Sequence, residues 1–92
     1  MARVTIQLPG LLTGLLDVPA RVDVDAPTLA GALAALQERH PALGVHLFDE
    51  SGGLRRHVLC LHNDADSRWL PSLDVAVEDG DVVTILQAVS GG

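Results

Sequence analysis

The chain has 92 residues, 48% of them apolar, and a formal net charge of -6. That length supports one domain with one core, and with Phe48 and Trp69 as its only aromatics the core must be aliphatic. The acidic balance argues against nucleic acid, which needs a basic face. The lone Cys60 excludes an internal disulfide and fits a reducing compartment; no apolar run is long enough to span a membrane.

The first ten residues, MARVTIQLPG, lack the apolar stretch of a secretion signal, so the chain reads as cytoplasmic. Val4, Ile6 and Leu8 alternate with polar residues and predict a half-buried strand. Pro9-Gly10 signals a turn, and the stretch around Gly10 to Gly14 reads as a wide loop. Val22 and Val24 alternate within ARVDVD. Pro19 cannot donate to a ladder, so this second strand is expected at an edge or starting late. The first two strands then form a hairpin.

The period changes in PTLAGALAALQERHP. Leu29, Leu33 and Leu36 recur at helical spacing. Thr28 is a suitable N-cap because its hydroxyl can accept from a first-turn amide, and Pro41 is read as the stop. Residues 42–56 form an ambiguous loop with one helical turn and a Gly52-Gly53 tip. HVLCLHND is a third strand, with Val58, Cys60 and His62 on one face and Leu59 and Leu61 on the other. A short strand is expected near Arg68 to Leu70 and a turn at Glu78 to Asp81. VVTIL is the last strand: Val83 and Ile85 face one side, Val82, Thr84 and Leu86 the other.

A hairpin, one main crossover helix and a final strand near the middle of the sheet make an α+β layer architecture. The arrangement is the β-grasp, or ubiquitin-like, fold with a mixed sheet of four to five strands. The domain is expected over residues 1–88, followed by a flexible tail over 89–92 that ends in Gly91-Gly92.

Such a tail has a definite chemical use. Glycine carries no side chain, so the tail can thread a narrow channel and bring its backbone close to a nucleotide. The carboxylate of Gly92 can then be activated by ATP as an acyl-adenylate and attacked by sulfur. Nothing in the domain has to be a catalyst; no nucleophile-base pair and no phosphate loop is evident.

Over nearly its whole length the chain resembles the ubiquitin-like sulfur carriers of the MoaD/ThiS family. The likeness is densest at VEDGDVVTILQAVSGG. It implies an E1-like adenylyltransferase/sulfurtransferase partner, adenylation and thiocarboxylate formation at Gly92, and tail access through Val89, Ser90 and Gly91. ATP is used by that partner, and the carrier itself holds no cofactor. Within the family, LRRHVLCLHNDADSRWL is similar to the CysO-type carriers. That similarity implies sulfur donation to a cysteine synthase-like enzyme and release of cysteine by a metallopeptidase. Gln87 and Ala88 stand where molybdopterin carriers commonly have prolines, and His62 where the family usually has an aliphatic residue. Molybdopterin or another thiolated metabolite, and conjugation to protein lysines as a modifier, are the alternative uses of the same tail.

Leu59, Leu61 and Leu86 are candidates for an apolar face that docks the activating enzyme; the alternative is a face covered by the chain's own loops. Cys60 reads as a buried, inert thiol. His57 and His62, five apart on a strand, point to opposite faces and do not make a metal site. Arg55-Arg56-His57 reads as a solvated strand edge, and the free protein as a monomer. All six basic residues are arginine. A carrier without lysine offers its own activated carboxyl only the N-terminal amine.

Overall fold

A computed structural model of the chain describes residues 2–50, 54–55, 58–66 and 72–87. Strand β1 (Ala2–Gln7) leads to helix α1 (Gly10–Leu16) and strand β2 (Arg21–Ala26); helices α2 (Leu29–Arg39) and α3 (Pro41–Leu47) follow. Strands β3 (Val58–His62), β4 (Ala65–Asp66) and β5 (Val82–Gln87) complete the order. The five strands form one sheet in the order β2-β1-β5-β3-β4. β1 pairs antiparallel with β2 and parallel with β5, while β3 runs antiparallel to both β4 and β5. This is the expected β-grasp arrangement, with the final strand in the centre.

The period-two pattern sets the two faces. Val4 and Ile6 of β1, Val22, Val24 and Ala26 of β2, Val58 and Cys60 of β3, and Val83 and Ile85 of β5 are all buried. They form one layer of the core, and α2 supplies the other through Leu29, Ala32, Leu33 and Leu36. β2 begins after Pro19, which stays outside its ladder, and lies at the sheet edge.

The start of α2 shows why a helix forms there. Thr28 Oγ1 accepts from Gly31 N at 3.0 Å, and Thr28 O accepts from Ala32 N at 2.9 Å. Leu29 N and Ala30 N donate to Val75 O and Leu73 O at 2.9 and 2.8 Å. Ala32 N thus makes the first intrahelical bond, and the amides of Leu29, Ala30 and Gly31, which the helix cannot satisfy internally, all have partners. The segment that provides two of them carries Leu73, Val75 and Val77 onto the core.

Two expectations are corrected. The stretch at Gly10 to Gly14 is not a loop: α1 occupies it, with Pro9 just ahead of the first turn and Leu12 buried. Pro41 does not end helical structure. α2 closes at Arg39, and Pro41 opens α3, where its missing N–H is one that needs no partner. The short strand expected near Arg68 to Leu70 lies outside the described residues; among those described, β4 at Ala65–Asp66 pairs with β3 across a tight turn at Asn63 and Asp64.

Candidate functional site: the root of the tail and the open sheet face

β5 runs between β1 and β3 and delivers the chain to its C-terminus from the middle of the sheet. Gln87, its last residue, is level with Val58 at the start of β3. Val89, Ser90, Gly91 and Gly92, the residues expected to carry the chemistry, lie outside the described residues. What the structure defines is the surface from which they depart.

On the face away from the core, Leu59 sits directly opposite Leu86, and Leu61 opposite Thr84 one row further from the tail. The three leucines singled out from the sequence thus share one patch beside the end of β5. Leu59 and Leu61 are half-buried, while Leu86 keeps 40% of its surface exposed. A non-hydrogen-bonded or hydrogen-bonded neighbour pair of leucines at this spacing shields each other's flanks but not their tops.

The other half of the same face is polar. Thr5 Oγ1 donates to Asp23 Oδ1 at 2.8 Å, and Arg3 Nε lies 3.4 Å from Asp25 Oδ1 on an exposed surface. Arg21 is opposite Gln7. The open face is therefore split along the strand direction, with apolar residues over β3 and β5 and charges over β1 and β2.

The opposite pole is held by the turn before β5. Gly80 adopts φ +88, a backbone state glycine takes without steric cost. Gly80 N donates to Arg3 O at 3.0 Å and Asp79 Oδ1 accepts from Arg3 N at 2.7 Å. Asp81 gathers three donors: Glu78 N at 2.9 Å, Asn63 Nδ2 at 3.2 Å, and His62, whose Nε2 lies 2.7 Å from Asp81 Oδ2. The Glu78 amide, then His62 and Asn63, hold the Asp81 carboxyl down at about 2. Asn63, itself at φ 55, accepts from Val82 N through Oδ1 at 2.9 Å.

The His62–Asp81 contact is the feature that sequence reasoning missed. The alternation of β3 puts His62 on one face with Val58 and Cys60, and the sequence reads Asp81 as a turn residue only. His62 ends β3 opposite Val83, so the residues that open β5 come alongside it. The register of two antiparallel strands, more than any motif, would have disclosed the pair. Cys60, by contrast, is fully buried opposite Ile85, as strand alternation predicts. His57 and Arg56 lie outside the described residues; Arg55 Nε donates to Val45 O at 2.8 Å, so this arginine anchors α3.

With this geometry in hand, comparison with known proteins is direct. The ThiS family model matches residues 13–92. Sulfur carrier protein CysO of Mycobacterium tuberculosis is 35% identical over 91 residues, covering 97% of this chain and 98% of the relative. The crystal structure of small archaeal modifier protein 1 from Haloferax volcanii superposes with a TM-score of 0.82 at 30% identity, covering 99% of this chain and 100% of that one. The crystal structure of the Amycolatopsis orientalis BexX/CysO complex gives a TM-score of 0.82 at 31% identity, over 97% and 99% of the two chains. The β-grasp fold, the central β5 and a match that runs through to the final glycine together make this chain a member of the ThiS family.

Proposed function

We propose that this protein is a sulfur carrier whose working group is the carboxylate of Gly92. The observation that supports this most is the near end-to-end similarity to a sulfur carrier, 35% over 97% of the chain, joined to a central strand that leads into Gly91-Gly92. In the proposed cycle an E1-like partner binds ATP, and a carboxylate oxygen of Gly92 attacks the α-phosphate. Pyrophosphate leaves. Sulfide then attacks the acyl carbon, AMP departs with the electron pair of the broken C–O bond, and the sulfide proton passes to solvent. The product is a thiocarboxylate, which donates sulfur in biosynthesis.

The CysO-type resemblance favours a cysteine synthase-like acceptor and a metallopeptidase that releases the product. The domain over residues 1–88 serves as the recognition body. Leu59, Leu61 and Leu86 form its docking patch, and Val89, Ser90 and Gly91 give the tail access to the partner's nucleotide. The chain is not itself an enzyme and holds no metal or cofactor; it acts in the cytoplasm and is monomeric when free.

Incubation with the activating enzyme, ATP and sulfide tests the reading by intact mass. A carrier gains one sulfur in place of one oxygen, and loses the ability when Gly91 and Gly92 are deleted. Unchanged mass in the full-length chain would overturn it. A second reading is favoured by the likeness to an archaeal modifier protein: attachment of Gly92 to lysines of other proteins. It predicts high-mass conjugates in lysate instead of a sulfur-bearing monomer. Donation to molybdopterin or another thiolated metabolite would leave the first step unchanged and differ only in the acceptor.

A further inference from the structure

We infer that this domain is built to be inert towards its own activated C-terminus, so that the acyl group waits for a nucleophile supplied by a partner. The inference rests on the proposed activation of Gly92. An acyl-adenylate or thioester at Gly92 reacts with any accessible amine or thiolate: the C–N or C–S bond forms, the leaving group departs with its electron pair, and an attacking amine releases a proton to solvent. A carrier that provided such a group within reach of its own tail would consume itself.

The sequence removes the commonest acceptor, because the chain has no lysine and all six of its basic residues are arginine. Guanidinium stays protonated and has no lone pair to offer. Hydroxyls of serine and threonine are weak nucleophiles unless a base activates them. Histidine can take an acyl group only transiently, since acyl-imidazole returns it to water. Two groups remain, the thiol of Cys60 and the α-amine ahead of β1.

The fold deals with each differently. Cys60 is close, one strand from β5 and opposite Ile85, but it faces the core and has no exposed surface. The amine precedes Ala2, at the pole of the sheet opposite the end of β5. β1 and β5 are parallel, with Thr5 level with Val82 and Gln7 level with Thr84. Ala2 therefore lies eight residue levels from Gln87, or about 26 Å along the strands. Five residues follow Gln87, and a fully extended stretch of that length covers at most about 18 Å. Even doubled straight back along the sheet, the carbonyl of Gly92 stops short of the start of β1. Parallel pairing of the first and last strands is what separates the two ends, and an antiparallel pair would have brought them together.

The experiment uses the full chain prepared as a C-terminal alkyl thioester by intein cleavage, in dilute buffer near pH 8 with no activating enzyme. It tests self-reaction alone, so its failure is distinct from failure of the carrier reading, which the ATP and sulfide assay decides. Intact mass is followed over time. The wild-type thioester is expected to hydrolyse slowly to the acid, with no product that has lost the thiol without gaining water and no self-linked dimer. Added hydroxylamine should consume it at once, showing that the thioester is live. Arg21→Lys supplies the contrast. Arg21 is exposed and level with Gln7 and Thr84, two strands across and three levels back from Gln87. That is about 14 Å away, within reach of the tail. The exchange keeps the charge and adds one amine, and it should form an internal amide at least about tenfold faster than the wild type loses its thioester, as intramolecular placement favours. Cyclised or dimeric wild-type product would overturn the inference. So would an Arg21→Lys thioester as durable as the wild type, because amine placement would then not be what protects the tail.

Discussion

Asp81 accepts from a backbone amide, an asparagine and a histidine at one pole of the sheet. Each donor stabilises the charged carboxylate, which is why its pKa falls from 3.8 to about 2. A carboxyl whose folded pKa is depressed adds stability above the unfolded pKa, and that contribution is lost as pH falls through the folded value. Stability should therefore decline between about pH 4 and pH 2 more steeply in the wild type than in Asp81→Asn, measured as urea midpoints across that range. Parallel curves would show that Asp81 carries no such linkage. At neutral pH Asp81→Ala removes all three acceptor contacts at once and should cost about 2 kcal/mol, the scale of charged hydrogen bonds. The described end of β5, Gln87, is six residues along the strand from Asp81, so sulfur loading of the variant at a permissive temperature should match the wild type.

Among the elements, α2 and α3 meet where Gly44 packs on Gln37. A Cβ on Gly44 would lie 2.6 Å from Gln37 Nε2 and 3.0 Å from its Cγ, so the exposed Gln37 side chain would have to move aside. Gly44→Ala alone sets about 1 kcal/mol of helix propensity against that overlap. In a Gln37→Ala background the overlap is gone and the same exchange should stabilise by about 0.5–1 kcal/mol. A double-mutant cycle by chemical denaturation reads the difference; additive effects would deny the contact. Thr28→Ala, which strips the cap from α2, should cost about 1 kcal/mol. This helix was legible in advance because cap, leucine spacing and length agree. α1 was not: GLLTGLL has two glycines, and Pro9-Gly10 carries the usual mark of a turn. Burial of Leu12 against the core holds it helical, a tertiary effect that local rules do not see. Pro41 misled for a related reason, since a proline that cannot continue one helix is well suited to begin the next.

For the whole molecule, the strand order and the central place of β5 followed from the hairpin, the crossover helix and two period-two runs. The His62–Asp81 pair did not, because it depends on the register between strands nineteen residues apart. The net charge of -6 implies that encounter with a basic partner is steered electrostatically. Association rates with the proposed activating enzyme should fall with rising salt while dissociation changes little; a salt-independent rate would mean that the charge plays no part. Leu86→Ala should weaken that docking by more than its modest loss of stability against Leu59 explains, because Leu86 keeps 40% of its surface exposed. The placement of β5 has a mechanical consequence as well. A partner that draws on the tail pulls along a strand bonded on both sides, to β1 and to β3. Against an anchor at the start of β1, the parallel ladder is loaded lengthwise, so its bonds share the force and must slip together instead of opening one by one. Held by its two ends, the domain should give way abruptly and at higher force than when pulled across the sheet through the free edge of β2.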